Sequence, residues 1–338
     1  MKEVKRLAIL FAITALVLVG CSTSDNNTSD LPYAGEEIVF ANAGWDSIQF
    51  HNAVVGTIAQ QIWGYSWSEV PGSTPVTHEG IIAGDIDAHT EVWTDNIPTY
   101  GEDLEAGKLI EVGVNFDDNY QGVYVPRYVI EGDEERGIEP MAPDLQYVWD
   151  LKDYPHIFPD DDNPEMGRMY GAIPGWEVDD ILHAKYLHHG LDENFVYFRP
   201  GSDAALSAAI TAAIDRGEAI ASYYWEPTWL LGLYDMVLLE DDPYNEETFL
   251  DGIGAFPPVN VTTAVSNDFA EAGNEEFIEF FSKYRTSSQM TSEALGYMQD
   301  NSADFQEAVE WFLTEHDALL DDWLQPEDAQ TLRDYLNS

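Results

Sequence analysis

The chain alternates short runs rich in β-branched and aromatic residues with longer stretches of helical periodicity, the order expected of an α/β protein. Ile38 to Ala43 (IVFANA) predicts a strand and Asn52 to Trp63 a helix. Ile86 to Trp93 (IDAHTEVW) is a second strand. Farther along, Arg168 to Ile173 predicts a strand, Asp180 to His188 a helix, and Phe195 to Phe198 a strand. Ala204 to Asp215 is an alanine-rich helix, and Ala219 to Trp225 (AIASYYW) is again a strand. From Asn274 onward the pattern is mostly helical, with Phe305, Val309 and Phe312 along one apolar face.

Within this order one unit occurs twice. A strand ends in Gly44-Trp45-Asp46 and leads into a helix; later a strand ends in Gly175-Trp176-Glu177 and leads into a helix. Downstream, Gly84-Asp85 precedes the strand ending at Trp93, and Gly217-Glu218 precedes the strand ending at Trp225. Ligands of open α/β sheets sit beyond the C-terminal strand ends, beside helix N-termini. Each copy therefore sets two tryptophans on the ligand edge of its own small sheet. Two lobes facing each other would bring four indoles around one cleft, a common position for a ligand. For any one tryptophan core packing is the better explanation, and Trp63, Trp149, Trp311 and Trp323 are read as core or surface packing. Core packing does not require indoles at equivalent strand ends in both halves, so the matched set of four carries the functional reading.

The first residues add a destination. Lys2, Lys5 and Arg6 precede an apolar run from Leu7 to Val19, then Gly20 and Cys21, the only cysteine in the chain. Basic, apolar, then small is the order of a secretory signal, and the run is too short for a comfortable membrane span. Cys21 after Leu18-Val19-Gly20 resembles a bacterial lipobox, in which the cysteine is lipidated and becomes the new N-terminus; the rival is a plain signal peptide with a chance cysteine. On this reading residues 1–20 are a lipoprotein signal peptide and 21–35 a polar tether. The mature domain lies on the outer face of the cell membrane and has no disulfide.

Charge removes a further class. The chain has 63 acidic and 14 basic residues, a formal charge of −49. Losing Lys2, Glu3, Lys5 and Arg6 with the signal leaves 62 acidic against 11 basic, or −51. Nucleic acid needs a basic footprint and is not a partner. Apolar content of 45% and aromatic content of 13% set the chain apart from acidic disordered proteins. A halophilic surface fits this balance, with an ordinary acidic exported protein as the rival.

A cage of indoles suits one class of ligand. Each ring attracts a cation by roughly 0.5–2 kcal/mol, and quaternary ammonium groups are the established guests of aromatic cages. Trimethylammonium has no N–H to donate and spreads its charge beneath methyl groups. Rings serve it by offering apolar contact and negative potential together.

Several segments together resemble the glycine betaine/proline betaine/choline substrate-binding proteins of ABC transporters. They are Ala43-Gly44-Trp45-Asp46-Ser47, Gly84-Asp85-Ile86-Asp87-Ala88 with Trp93, Ile173-Pro174-Gly175-Trp176, and Tyr224-Trp225-Glu226-Pro227-Thr228-Trp229. The helical stretch around Glu310-Trp311-Phe312-Leu313 is similar too, and the likeness runs from about residue 36 through the rest of the chain. It implies a two-lobed periplasmic-binding-protein fold of type II with the ligand cleft between the lobes. Lobe I would comprise residues 36–125 and 259–338 and lobe II residues 126–258, with crossings near Val125–Arg127 and Phe256–Val261. It also implies an ABC permease and, through it, ATPase subunits as partners, and no cofactor. Trp45, Trp93, Trp176 and Trp225 match the family's cage rings. The backbone amides of Glu177 and Val178 match those that take a ligand carboxylate, and Tyr124 matches a further ring of choline-binding relatives. Choline, carnitine or another small solute on the same fold is the alternative to glycine betaine.

Two departures bear on the ligand. Many betaine-binding members carry a histidine four or five residues after the tryptophan matching Trp93, where this chain has Ile97 and Pro98. A choline-binding relative has an aspartate where this chain has Ser47. A ligand carboxylate is therefore expected on the amides of Glu177 and Val178, an anchor that does not titrate between about pH 5.5 and 8.

Catalytic motifs do not compete with this reading. His78-Glu79 lacks a second histidine at zinc-helix spacing, and there is no Gly-x-Ser-x-Gly elbow or phosphate-cradling glycine loop. His188-His189 ends a solvated helix, and Glu165 stands where a calcium loop begun by Asp160-Asp161-Asp162 needs glycine. A surface adhesion or scaffold protein would explain the anchor and the charge but not the paired tryptophans.

The charge itself makes a prediction. A compact state carrying about 51 excess negative charges gains stability as their repulsion is screened. The thermal midpoint of the mature chain is expected to rise from low to molar salt. A flat or falling profile would remove the halophilic reading.

Overall fold

A computed structural model of the chain describes residues 31–338. The proposed signal peptide, Cys21 and most of the tether lie outside the described residues. Among the described residues no helix is long and apolar enough to cross a membrane.

Among the described residues ten strands form two five-stranded sheets. In chain order they are β1 (Glu37–Asn42), β2 (Ser66–Pro71), β3 (Ala88–Trp93), β4 (Ile110–Phe116), β5 (Gln121–Pro126), β6 (Gly167–Tyr170), β7 (Phe195–Phe198), β8 (Ala221–Trp225), β9 (Met236–Leu238) and β10 (Val261–Val265). The first sheet has the order β2-β1-β3-β10-β4 and the second β7-β6-β8-β5-β9. In the first, β1 is parallel to β2 and β3, and β10 runs antiparallel between β3 and β4. In the second, β6 is parallel to β7 and β8, and β5 runs antiparallel between β8 and β9. The two sheets are thus one plan used twice, and the repeated sequence unit falls on equivalent strands, β1 and β3 against β6 and β8.

The antiparallel strand of each sheet is supplied by a distant part of the chain, and this fixes the crossings. β5 bonds to β8 and β9, so the polypeptide changes sheets at 117–120. That is several residues before the Val125–Arg127 crossing expected from the sequence. The return lies just before β10. There Asn119 clamps the two crossings together: its Nδ2 donates to Val259 O at 2.6 Å, and its Oδ1 accepts the Val259 N–H at 3.1 Å.

The helix after β1 starts at Asp46, six residues earlier than the periodicity indicates, and runs to Trp63. Gly44 turns the chain directly out of β1 with φ +97°, a region where a side chain is strained, and Trp45 takes the N-cap position. The helix Glu177–His188 begins the same way after Gly175, whose φ is also +97°. At the far end Gly64 closes the first helix in the left-handed conformation, its N–H donating to Ala59 O and Gln60 O.

The first helix buries most of its residues against the C-terminal helices, where Phe277, Phe280, Phe281, Phe312 and Trp323 complete the core of the first lobe. Trp63 and Trp323 are core residues of this cluster. Trp311 stacks on Tyr297 at 4.8 Å and Trp149 on Tyr147 at 4.5 Å.

Other polar runs have structural partners. Arg168 pairs with Asp160 at 2.7 Å and Asp161 at 2.9 Å. His189 lies 3.1 Å from Asp241, which also accepts from Lys185 at 2.6 Å. His78 lies 2.9 Å from Asp103.

Candidate ligand cleft

The two strand–tryptophan–helix units face each other across a cavity. Trp45 leaves β1, Trp93 ends β3, Trp176 leaves β6 and Trp225 ends β8; all four are buried and all four line it. Trp176 stands edge-on to Trp45, with ring centres 5.4 Å apart at 87°, and edge-on to Trp225, at 5.0 Å and 89°. Its Nε1 donates to Ala43 O in the other lobe at 3.1 Å, and the Thr74 N–H donates across the cleft to Gly175 O at 3.0 Å. A Cβ on Gly175 would come within 3.0 Å of Ser73 Cβ, so the approach of the lobes also rests on the missing side chain. The lobes are closed on one another.

Each tryptophan that ends a strand has a partner two residues upstream on the same face. In lobe II this is Tyr223, which lies 5.7 Å from Trp225 with the rings 20° apart and lines the cavity. Tyr124, the ring expected from the sequence, does not line it. Antiparallel pairing sets Tyr124 opposite Ser222, whereas Val123 is opposite Tyr223, so Tyr124 belongs to the other face of the sheet.

In lobe I the equivalent residue is Glu91, which the sequence reading missed. It is fully buried, and its Oε1 accepts three bonds: from Trp45 Nε1 at 2.8 Å, Trp93 Nε1 at 3.0 Å and Ser47 Oγ at 3.0 Å. Oε2 is buried with no donor. Loss of hydration pushes the carboxyl up to about 7, against the pull of the three donors toward the ionised form. Two indoles that the sequence assigns to a cage are thus oriented by one carboxylate oxygen.

The rest of the wall is mixed. His89 lines the cavity, and its Nδ1 accepts the Glu91 N–H at 3.3 Å; burial lowers its pKa to about 3, so it is a neutral ring. Asn96 Oδ1 is buried without a partner, and Ile97 occupies the wall near the expected histidine position. Glu177 and Val178 line the cavity at the start of their helix. Among the described residues no hydrogen bond uses either N–H. Two free amides at a helix start suit an anionic group. The absent histidine implied a cavity without a group that titrates near neutrality; Glu91 is such a group. The signal for Glu91 and Tyr223 was the period-two relation to Trp93 and Trp225.

Residues 36–315 match the profile of the substrate-binding domain of ABC-type glycine betaine transport systems. Among solved structures, the chain is similar to the glycine betaine/L-proline-binding protein of an ABC transporter from Borrelia burgdorferi, with a TM-score of 0.69 and 19% identity over 88% of this chain and 99% of that one. It is similar to a lactococcal protein crystallised closed with glycine betaine, with a TM-score of 0.65 and 18% identity over 86% of this chain and 100% of that one. An ABC-transporter choline-binding protein in complex with choline gives a TM-score of 0.69 and 18% identity over 89% and 98% of the two chains. The fold is that of the two-lobed periplasmic binding proteins.

The environment of Glu91 has a consequence for the ligand-free protein. Its folded pKa, about 7, lies above the ordinary 4.5. Its contribution to stability is therefore fully present below about pH 4.5 and lost as pH rises through about 7. Glu91→Gln keeps an oxygen for the indoles and removes the charge. Between about pH 5 and 8 the wild-type thermal midpoint is expected to fall relative to that of the variant. Parallel profiles would mean that Glu91 does not ionise in the folded, empty protein.

Proposed function

The chain belongs to the family of substrate-binding domains of ABC-type glycine betaine transport systems, and on that premise we propose that it captures a quaternary-ammonium osmolyte between Trp45, Trp93, Trp176 and Trp225. We infer that it works outside the cytoplasm, held to the membrane by a lipid on Cys21 after removal of the signal peptide. There it delivers the solute to a permease driven by ATPase subunits, in the service of osmoprotection, and its acidic surface suits a saline medium.

The convergence of two tryptophans from each lobe on one closed cavity carries this reading. Four rings supply about 2–8 kcal/mol before association costs, whereas micromolar affinity needs about 8 kcal/mol net. Further anchors are required. The free amides of Glu177 and Val178 suit the carboxylate of glycine betaine, and the Glu91 carboxylate suits the cationic head. Choline is the second reading, favoured by the unpaired acceptors Glu91 Oε2 and Asn96 Oδ1, which a hydroxyl can satisfy and a betaine cannot.

Titration with glycine betaine, choline, carnitine and amino acids, followed by tryptophan fluorescence, tests the ligand class. Saturable responses are expected for the quaternary-ammonium compounds, and a response to amino acids alone would overturn the reading.

The amide anchor has its own test. Val178→Pro removes one donor at the helix start, where proline is tolerated. It is expected to weaken glycine betaine roughly tenfold, about the worth of one charge-assisted bond, and to weaken choline far less. Equal losses for both ligands would indicate damage to the lobe, and no loss for glycine betaine would move its carboxylate elsewhere.

A further inference from the structure

Among the described residues the carboxylate behind the indoles has no counter-charge, for no lysine or arginine of theirs lines the cavity. The groups around Glu91 come from three elements. Its own strand contributes His89 and Trp93, and the lead-in and first turn of the first helix contribute Trp45 and Ser47. Tyr284 follows the helix Glu275–Lys283. His51 Nδ1 is bonded to Tyr284 Oη at 2.7 Å, and both His51 and His89 are held neutral by burial, each at about 3. Among the described residues Glu177 is the only other carboxylate on the wall. The cavity is therefore a site with negative charge, no fixed cation, and two buried acceptors that lack donors, Glu91 Oε2 and Asn96 Oδ1.

We propose that Glu91 is a specificity-determining residue that makes this site select quaternary-ammonium ligands by net charge, favouring a cationic amino alcohol of the choline class over zwitterions with the same head. The inference rests on the cage reading. A trimethylammonium head is attracted to Glu91 in either ligand. A zwitterion brings a second carboxylate into the same low-dielectric cavity; the Glu177 and Val178 amides receive it, and its repulsion from Glu91 offsets part of that gain, which a cation does not incur. The head group has no N–H, so it leaves both acceptors unsatisfied, whereas a hydroxyl two carbons away supplies a donor. Buried acceptors left without a donor penalise the ligand that lacks one.

The ionised form of Glu91 binds the cation, so uptake of the ligand releases the proton that the empty site retains near neutrality. Choline affinity is expected to rise with pH and level off above about 7. If only the ionised form is competent, the change between about pH 5.5 and 8 is roughly thirtyfold. Glycine betaine is expected to change by a smaller factor.

Calorimetric titration of the mature protein at about pH 5.5 and 8 with choline, glycine betaine and 3,3-dimethyl-1-butanol (the uncharged isostere of choline) tests this directly. The wild type is expected to prefer choline to glycine betaine at pH 8 by roughly tenfold or more and to bind the isostere weakly. Glu91→Gln, which retains an acceptor for Trp45, Ser47 and Trp93, is expected to lose that preference together with the pH dependence. A folded variant with the wild-type preference and pH profile would overturn the proposal. The pH series on the wild type decides the matter without any variant: equal, pH-independent affinities for choline and glycine betaine would remove the role of Glu91 while leaving the cage standing. Binding of neither ligand at either pH would overturn the cage reading, and this inference with it.

Discussion

Trp176 is the side chain on which closure of this molecule depends. It leaves the second sheet at a turn that only glycine makes without strain, crosses to the other lobe, and donates its Nε1 to the carbonyl of Ala43. Its ring meets Trp45 edge-on in one direction and Trp225 edge-on in the other. Edge-to-face contacts of this kind bring a positive ring edge to a negative face, worth about 0.5–1.5 kcal/mol beyond burial. The energy is modest, and the geometric effect is larger. One indole couples the strand ends of both lobes, so a change in the angle between the lobes must break a polar contact and an aromatic one, with Trp45, at once.

Behind that contact lies an arrangement that is costly for the empty protein. A carboxylate removed from water and left without a cation is among the least favourable buried groups. Three donors on Glu91 Oε1 offset part of this cost, and the raised pKa measures what is left. The same three bonds fix the planes of two indoles. Stability given up at Glu91 thus goes into orienting the site, as is common where binding groups are prepared ahead of a ligand. The partner lobe needs no such device, because Tyr223 fills the equivalent strand position with an apolar ring stacked on Trp225.

The repeated plan of the two sheets explains why the site is symmetric in its rings and asymmetric in its charge. Equivalent strands place equivalent tryptophans, and the turns that follow them share the same backbone conformation at Gly44 and Gly175. The residue two positions before each strand-end tryptophan differs, Glu91 in one lobe and Tyr223 in the other. Around a common frame of rings, that position therefore carries a buried carboxylate on one wall and an aromatic ring on the other. The helix start at Glu177 and Val178 adds two free donors to the second wall.

The sequence by itself determined the parts of this protein that are written locally. Strand, glycine, tryptophan and helix follow one another within a few residues, so the duplicated unit, the α/β class and the four candidate rings were legible without coordinates. Glu91 and Tyr223 were within reach of the same local logic, through the two-residue period of a strand. Contacts between distant segments were left to the tertiary structure. The first crossing falls at 117–120 because β5 pairs with β8, about a hundred residues away, and Tyr124 is turned from the cavity by the register of that same pairing. That among the described residues Glu91 Oε2 has no donor, and no cation shares its cavity, follows from which side chains of both lobes enclose it. Hydrophobic period and turn chemistry act over a few bonds, whereas burial and the balance of charge depend on everything packed around a group, and only the folded chain decides that.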